Sequence, residues 1–192
     1  MPETDVAGRT GPLAGSVRQA VSVAGTCSMI VGVAFAVWPH KSLLTAESLS
    51  GAYLLLNGVL QLIVALGARF AAALRLLLSV SGLLSALLAA LCFAGGNSVL
   101  LLALWIGLAW AIRGICHATV AVWVGGLPGG GQQEVIGLVT LVLGVVVGVL
   151  PFDSLEAFGW VIGLCLFAIG SMELSVVVRH GAVAIPGMAP NV

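Results

Sequence analysis

Four columns of residues recur along this chain at a spacing of 56. Gly51, Gly107 and Gly163 form one column, and Gly58, Gly114 and Gly170 form another seven positions on. Pro39, Gly95 and Pro151 lie upstream of them, each followed three positions later by Ser42, Ser98 or Ser154. All four columns align without a gap. A fixed period of this length means that one supersecondary unit is used repeatedly, each copy facing the same packing demands. Proline or glycine followed by serine marks a turn and a helix start. Glycines seven apart lie on nearly one helix face, two turns on. The unit reads as a helical hairpin present three times.

The solvent for such hairpins follows from composition. Of 192 residues, 60% are hydrophobic and 7% are charged, where a soluble domain carries about a quarter charged. Too little polar surface exists to cover the chain in water, so acyl chains must cover it. Six apolar runs stand out, at 19–38, 48–68, 74–94, 98–122, 134–151 and 156–178. Each suits a hydrocarbon core of about 30 Å at about 1.5 Å per helical residue. The runs are long and show no polar alternation, which selects helices over barrel strands. The first run, from Gln19 to Trp38, is longer than a secretory signal core of about 7–15 residues, so it is read as a retained span.

The expected fold is an all-α membrane protein. Six transmembrane helices form three tandem parallel hairpins, at 19–68, 74–122 and 134–178. Each hairpin returns the chain to its starting side, so the copies share one orientation, unlike the inverted repeats of many transporters. An axis along the membrane normal would relate them in a pseudo-threefold bundle. Residues 1–18 are expected to be a disordered N-terminus and 179–192 a flexible tail. The Gly-rich stretch at 125–133 is expected to be a loose link between hairpins two and three.

Orientation follows from the cations. Arg9, Arg18, Arg69, Arg75 and Arg179 fall on one side of this topology, and Lys41 lies on the other with Glu47, Asp153 and Glu156. The positive-inside rule places both termini in the cytoplasm, with the short turns facing outward. Trp38 and Trp160 then sit at the outer interface, which indole rings favour. Asp153 and Glu156 read as caps for the sixth span.

Helix packing is assigned to the glycines. In lipid there is no apolar force between helices, and close backbone approach at small residues carries much of the association. Gly51 with Gly58, Gly107 with Gly114, and Gly163 with Gly170 make a smooth stripe on each second helix. Gly25 with Gly32 and Gly137 with Gly144 do so on two of the first helices, whereas the middle copy has no matching glycine there. The alternative is that these glycines are gating hinges.

The same register brings out a polar column. Gln61, His117 and Glu173 are 56 apart, and four residues before them come Asn57, Arg113 and Ile169. Spans two and four thus each carry a polar pair at i and i+4, on one face. Gln61 lies eight residues before Arg69, so the column sits about 12 Å inside the membrane edge. A lone charge at mid-membrane costs about 2.5–3.5 kcal/mol or more, so partners are expected. Arg113 is expected to pair with Glu173, and Asn57, Gln61 and His117 to complete a network. Three roles stay open: a fixed network setting helix register, a proton-responsive or ion-conducting site around His117, or Arg113 reaching the headgroups by itself.

Cofactor and metal chemistry finds no footing. Cys27, Cys92, Cys116 and Cys165 form no C-x-x-C pair, and each lies within an apolar run as a small packing residue. GGLPGGGQQ lacks the Gly-Lys-Ser/Thr ending of a phosphate loop. No H-E-x-x-H or G-x-S-x-G motif occurs, and His40 and His180 lie near opposite ends of the fold. No catalytic residue, cofactor or metal is expected, and zero net charge gives no reason to invoke nucleic acid.

The hairpin GTCSMIVGVAFAVWPHKSLLTAESLSGAYLLLNGVLQLIVAL at 25–66 recurs as GLVTLVLGVVVGVLPFDSLEAFGWVIGLCLFAIGSMELSVVV at 137–178. This pattern resembles the HdeD family of bacterial membrane proteins. The resemblance implies an inner-membrane protein linked to acid or general stress resistance, and it supplies no catalytic residues. Three functions follow as expectations. The first is a non-enzymatic scaffold or envelope-modulating protein, a homo-oligomer or in contact with other membrane proteins. The second is an accessory subunit of a larger membrane complex. The third is a small proton-linked channel or transporter.

Overall fold

A computed structural model describes residues 11–38, 41–67, 72–96, 98–123 and 130–182. They form six helices: α1 (Gly11–Val37), α2 (Leu43–Gly67), α3 (Ala72–Ala94), α4 (Val99–Trp123), α5 (Gly130–Val149) and α6 (Leu155–Ala182). Each contains a stretch of at least 19 residues long and apolar enough to cross a membrane. Large apolar side chains such as Ile30, Ile63, Leu76, Val142 and Leu164 point outward, at 56–66% exposure. In lipid such a surface is the favoured one, not a defect.

The serine column starts the second helices. The carbonyls of Ser42, Ser98 and Ser154 accept the first helical bonds, from Ala46, Leu102 and Phe158. The hydroxyls of Ser42 and Ser154 also accept from the amides of Thr45 and Ala157. Ser154, not Asp153, therefore caps α6, while Glu156 lies in its first turn, where the helix dipole favours a carboxylate. Gly95 ends α3 differently from proline. Its φ of 79° is left-handed, a conformation in which a Cβ would be strained.

The structure corrects three boundaries. Residues 11–18, expected to be disordered, belong to α1, and Pro12 is tolerated because first-turn amides have no helical acceptor. Residues 130–133 of the expected loose link are helical, since Gln132, Gln133 and Glu134 are good helix formers. The helix α6 runs four residues into the expected tail, to Ala182. The rest of these segments (1–10, 125–129 and 183–192) lies outside the described residues, as do Pro39, His40 and Arg69.

Helix neighbours do not follow chain order alone. The most extensive contacts join α4 to α5, α1 to α6 and α2 to α3, while the two helices flanking each short turn touch far less. The core fills from the second helices in matching register. Ala46, Leu102 and Phe158 are each 0% exposed, and Leu54, Trp110 and Leu166 are at most 2% exposed. Phe35 joins them edge-on to Phe158, with ring centroids 6.1 Å apart.

Glycines line the close helix pairs. A Cβ at Gly107 would meet the Gly144 carbonyl at 2.5 Å, and one at Gly170 would meet that of Gly25 at 2.6 Å. Gly114 faces Gly137, and Gly163 faces Gly32. The α2–α3 pair departs from this. Gly82, one residue off the repeat register, meets Gly58, and the ring of Phe93 covers Gly51.

Near the short turns, two charged side chains bond to backbone. Glu47 is buried and accepts from the Gly96 amide at 2.9 Å, tying α2 to the α3–α4 turn. Lys41 donates to the Phe35 carbonyl at the end of α1. Burial lowers the Lys41 pKa, and Glu156 opposes that shift.

Candidate functional site: a buried ion pair above a cavity

The helices α2, α4 and α6 bring Asn57, Arg113 and Glu173 together near mid-height. Arg113 Nη2 donates to Glu173 Oε1 at 2.5 Å, with side chains 8% and 4% exposed. Arg113 Nη1 donates to Asn57 Oδ1 at 2.5 Å and, more weakly, to the Tyr53 hydroxyl at 3.4 Å. The Asn57 amide nitrogen bonds back to the Tyr53 carbonyl at 2.9 Å, which turns its oxygen toward the guanidinium. Ser28 on α1 donates to its own helix at Ala24 and lies 3.4 Å from the Tyr53 hydroxyl. The chain of contacts therefore runs through α1, α2, α4 and α6.

This layer accounts for the charges. An unpaired ion at this depth is costly, and a paired one also needs its remaining donors satisfied. Arg113 has acceptors from two neighbouring helices, and its charge is balanced by Glu173. Arg113 belongs to the Asn57 column and Glu173 to the Gln61 column, so the partners stand four residues apart in register. A rise of four residues is about 6 Å, which the long arginine side chain spans.

Gln61 and His117 stand apart from the network. Both amide atoms of Gln61 are buried without a hydrogen-bond partner, as is Glu173 Oε2. His117 makes no hydrogen bond to either member of the ion pair. What unites all five residues is a half-enclosed cavity of about 210 Å³, lined by Asn57, Gln61, Arg113, His117 and Glu173 and by residues from all six helices. It reaches from the ion pair toward the α2–α3 and α4–α5 links, where Gln133 lines it. On the other side of the ion pair the core is filled by Leu102, Ile106, Phe158 and Ile162, each at most 2% exposed.

Tyr53 and Ser28 escaped the sequence reading. Alanine and cysteine hold the Tyr53 position in the other copies, so no polar column marks it. The available signal was local, because Tyr53 lies four residues before Asn57 and shares its face. Cys27, Cys92, Cys116 and Cys165 are free thiols. Among the described residues, no three His, Cys, Asp or Glu side chains lie together so as to hold a metal ion.

Six apolar spans, an internal repeat and a charge pair buried at mid-height define a multi-pass helical membrane protein. The chain belongs to the family described as a short repeat of unknown function (DUF308), which it matches over residues 23–94 and 135–186, more than half its length. Arg113 and His117 fall between the matched segments. No curated protein and no solved structure matches the chain.

Proposed function

We propose that this is a non-enzymatic membrane protein of the HdeD type, in the bacterial inner membrane with both termini in the cytoplasm. On this reading it is a structural element of the envelope in acid or general stress resistance. One observation carries the proposal: the Arg113–Glu173–Asn57 layer uses its charges on each other and ties three helices together. Such a layer fixes helix register and height, as buried polar groups do in other helical assemblies. The HdeD-like hairpins support the link to stress, and the arginine distribution supports the orientation.

The three hairpins are further proposed to surround one axis along the membrane normal. Two features support this. The close pairs α2–α3, α4–α5 and α6–α1 join consecutive hairpins around a ring, and the second helices bury the same register positions.

The test is complementation. A deletion strain is challenged at low pH and rescued with wild-type protein or with the double variant Arg113→Met, Glu173→Leu, which keeps the volume and removes both charges. A structural layer predicts rescue by the double variant wherever it accumulates at wild-type level. Failure of a well-accumulated double variant, together with proton flux in proteoliposomes that Glu173→Gln abolishes, would establish a conducting role instead.

A further inference from the structure

The cavity below the ion pair holds more polar capacity than the ion pair uses. Glu173 Oε2 and both amide atoms of Gln61 have no partner, although the residues are 3% and 9% exposed. Buried polar groups are satisfied in the great majority of cases, so such orphans call for an occupant. All three atoms belong to residues that line the same space of about 210 Å³, about seven times the share of one water in the liquid. The rest of the lining is largely apolar, with Ala20 and Ala24 from α1 and Leu60 and Val64 from α2, besides His117 and Gln133. Polar groups at one end and an aliphatic wall beside them are the usual make-up of a small-molecule site.

The sign of the ligand follows from which valences are free. Arg113 is turned toward Asn57, Tyr53 and Glu173, and its charge is already balanced. The carboxylate accepts from Arg113 on one oxygen only, and a carboxylate has about four acceptor positions. An incoming carboxylate would meet Glu173 Oε2 as a like charge. Both free oxygens are themselves covered in this structure, so a group with several N–H donors would reach one free carboxylate oxygen and one free amide oxygen as the Glu173 and Gln61 side chains turn into the space.

We propose that this cavity binds a small primary ammonium compound with a short aliphatic body, its head between Glu173 and Gln61 and its body along α1 and α2. The site goes beyond the scaffold reading and does not depend on it.

The test is the thermal unfolding midpoint of the full-length protein in detergent, titrated with n-butylammonium chloride, sodium butyrate or 1-butanol. Butylammonium should raise the midpoint saturably, and the other two should not. Glu173→Gln should weaken the apparent affinity about tenfold, in line with one charge-assisted hydrogen bond. Because that variant also disturbs the ion pair, two others carry the decision. Gln61→Leu leaves the ion pair intact, removes two unpartnered atoms and should raise the ligand-free midpoint while abolishing the butylammonium shift. Val64→Phe should block the shift by filling the space. An equal shift with butyrate or butanol, an undiminished shift in Gln61→Leu and Val64→Phe, or no shift with any probe (a water cluster only) would each overturn the proposal.

Discussion

Replacing Gly114 with alanine adds one methyl group where two helix backbones meet. The new Cβ would lie 2.6 Å from the Gly137 carbonyl oxygen and 2.8 Å from the Leu141 Cα. The Leu141 amide nitrogen lies closer still, and ordinary contact begins at 3.4 Å, so α4 and α5 must part locally by more than 0.8 Å (3.4 minus 2.6). No rotamer change relieves this, because the obstructing atoms are backbone. A gap of about 0.5–1 Å forfeits a quarter to a half of each pairwise attraction across it, and overpacking of this kind costs about 1–3 kcal/mol. Alanine returns about 0.5–1 kcal/mol through its better helix propensity. Because backbone atoms obstruct the methyl group, the cost falls in the upper part of that range, about 2–3 kcal/mol, and the balance is a loss of about 1–2.5 kcal/mol, or roughly 2–10 °C at 2–4 °C per kcal/mol for a chain of this size. Gly67→Ala is the control, because no atom lies within 4 Å of its Cβ position, and it should be neutral or stabilising. Both variants are measured by thermal unfolding in detergent, followed by circular dichroism. If Gly114→Ala melts at or above wild type, as the control should, close backbone contact is not what holds α4 to α5.

Three further outcomes follow. Arg113→Met or Glu173→Leu alone should destabilise by about 3–5 kcal/mol, whereas the two together should recover most of the loss; additive losses in this double-mutant cycle would remove the coupling. Gly95→Ala should lower stability by about 1 kcal/mol, since a left-handed φ is unfavourable for a residue bearing a Cβ; an unchanged melting midpoint would contradict a left-handed turn at Gly95. Reporter fusions at the two termini should report the same membrane face, because six spans return the chain to its starting side, and reports from opposite faces would contradict a six-span topology.

Much of the local structure was legible because helix geometry is local. The length of each apolar run, the serine ahead of three helices and the glycines seven apart all act within a few turns. Ser42, Ser98 and Ser154 start helices because of what their own oxygens do. The helix ends were less legible. Pro12 and Gly130 look like breakers, yet each lies in a first helical turn, where the usual penalty is reduced.

The candidate site was legible as a set of residues sharing a depth, and less so as a set of bonds. Register puts Gln61, His117 and Glu173 at one height, but a side chain as long as that of Arg113 can reach a partner one turn away. It bonds Glu173 from the Asn57 column, and Gln61 is left unpartnered. Tyr53 and Ser28 entered because α1 and α2 bring them near each other, a fact with no periodic signature.

By itself, the amino-acid order determined that this chain would be six apolar helices in a repeated pattern, because hydrophobicity and a 3.6-residue turn are properties of each segment alone. The tertiary structure decided which helices became neighbours, with α1 against α6 and α4 against α5. It also decided which polar atoms found partners and where a cavity remained. Those outcomes depend on distances between segments far apart in the chain, and such distances are set only when the backbones close on one another at glycine.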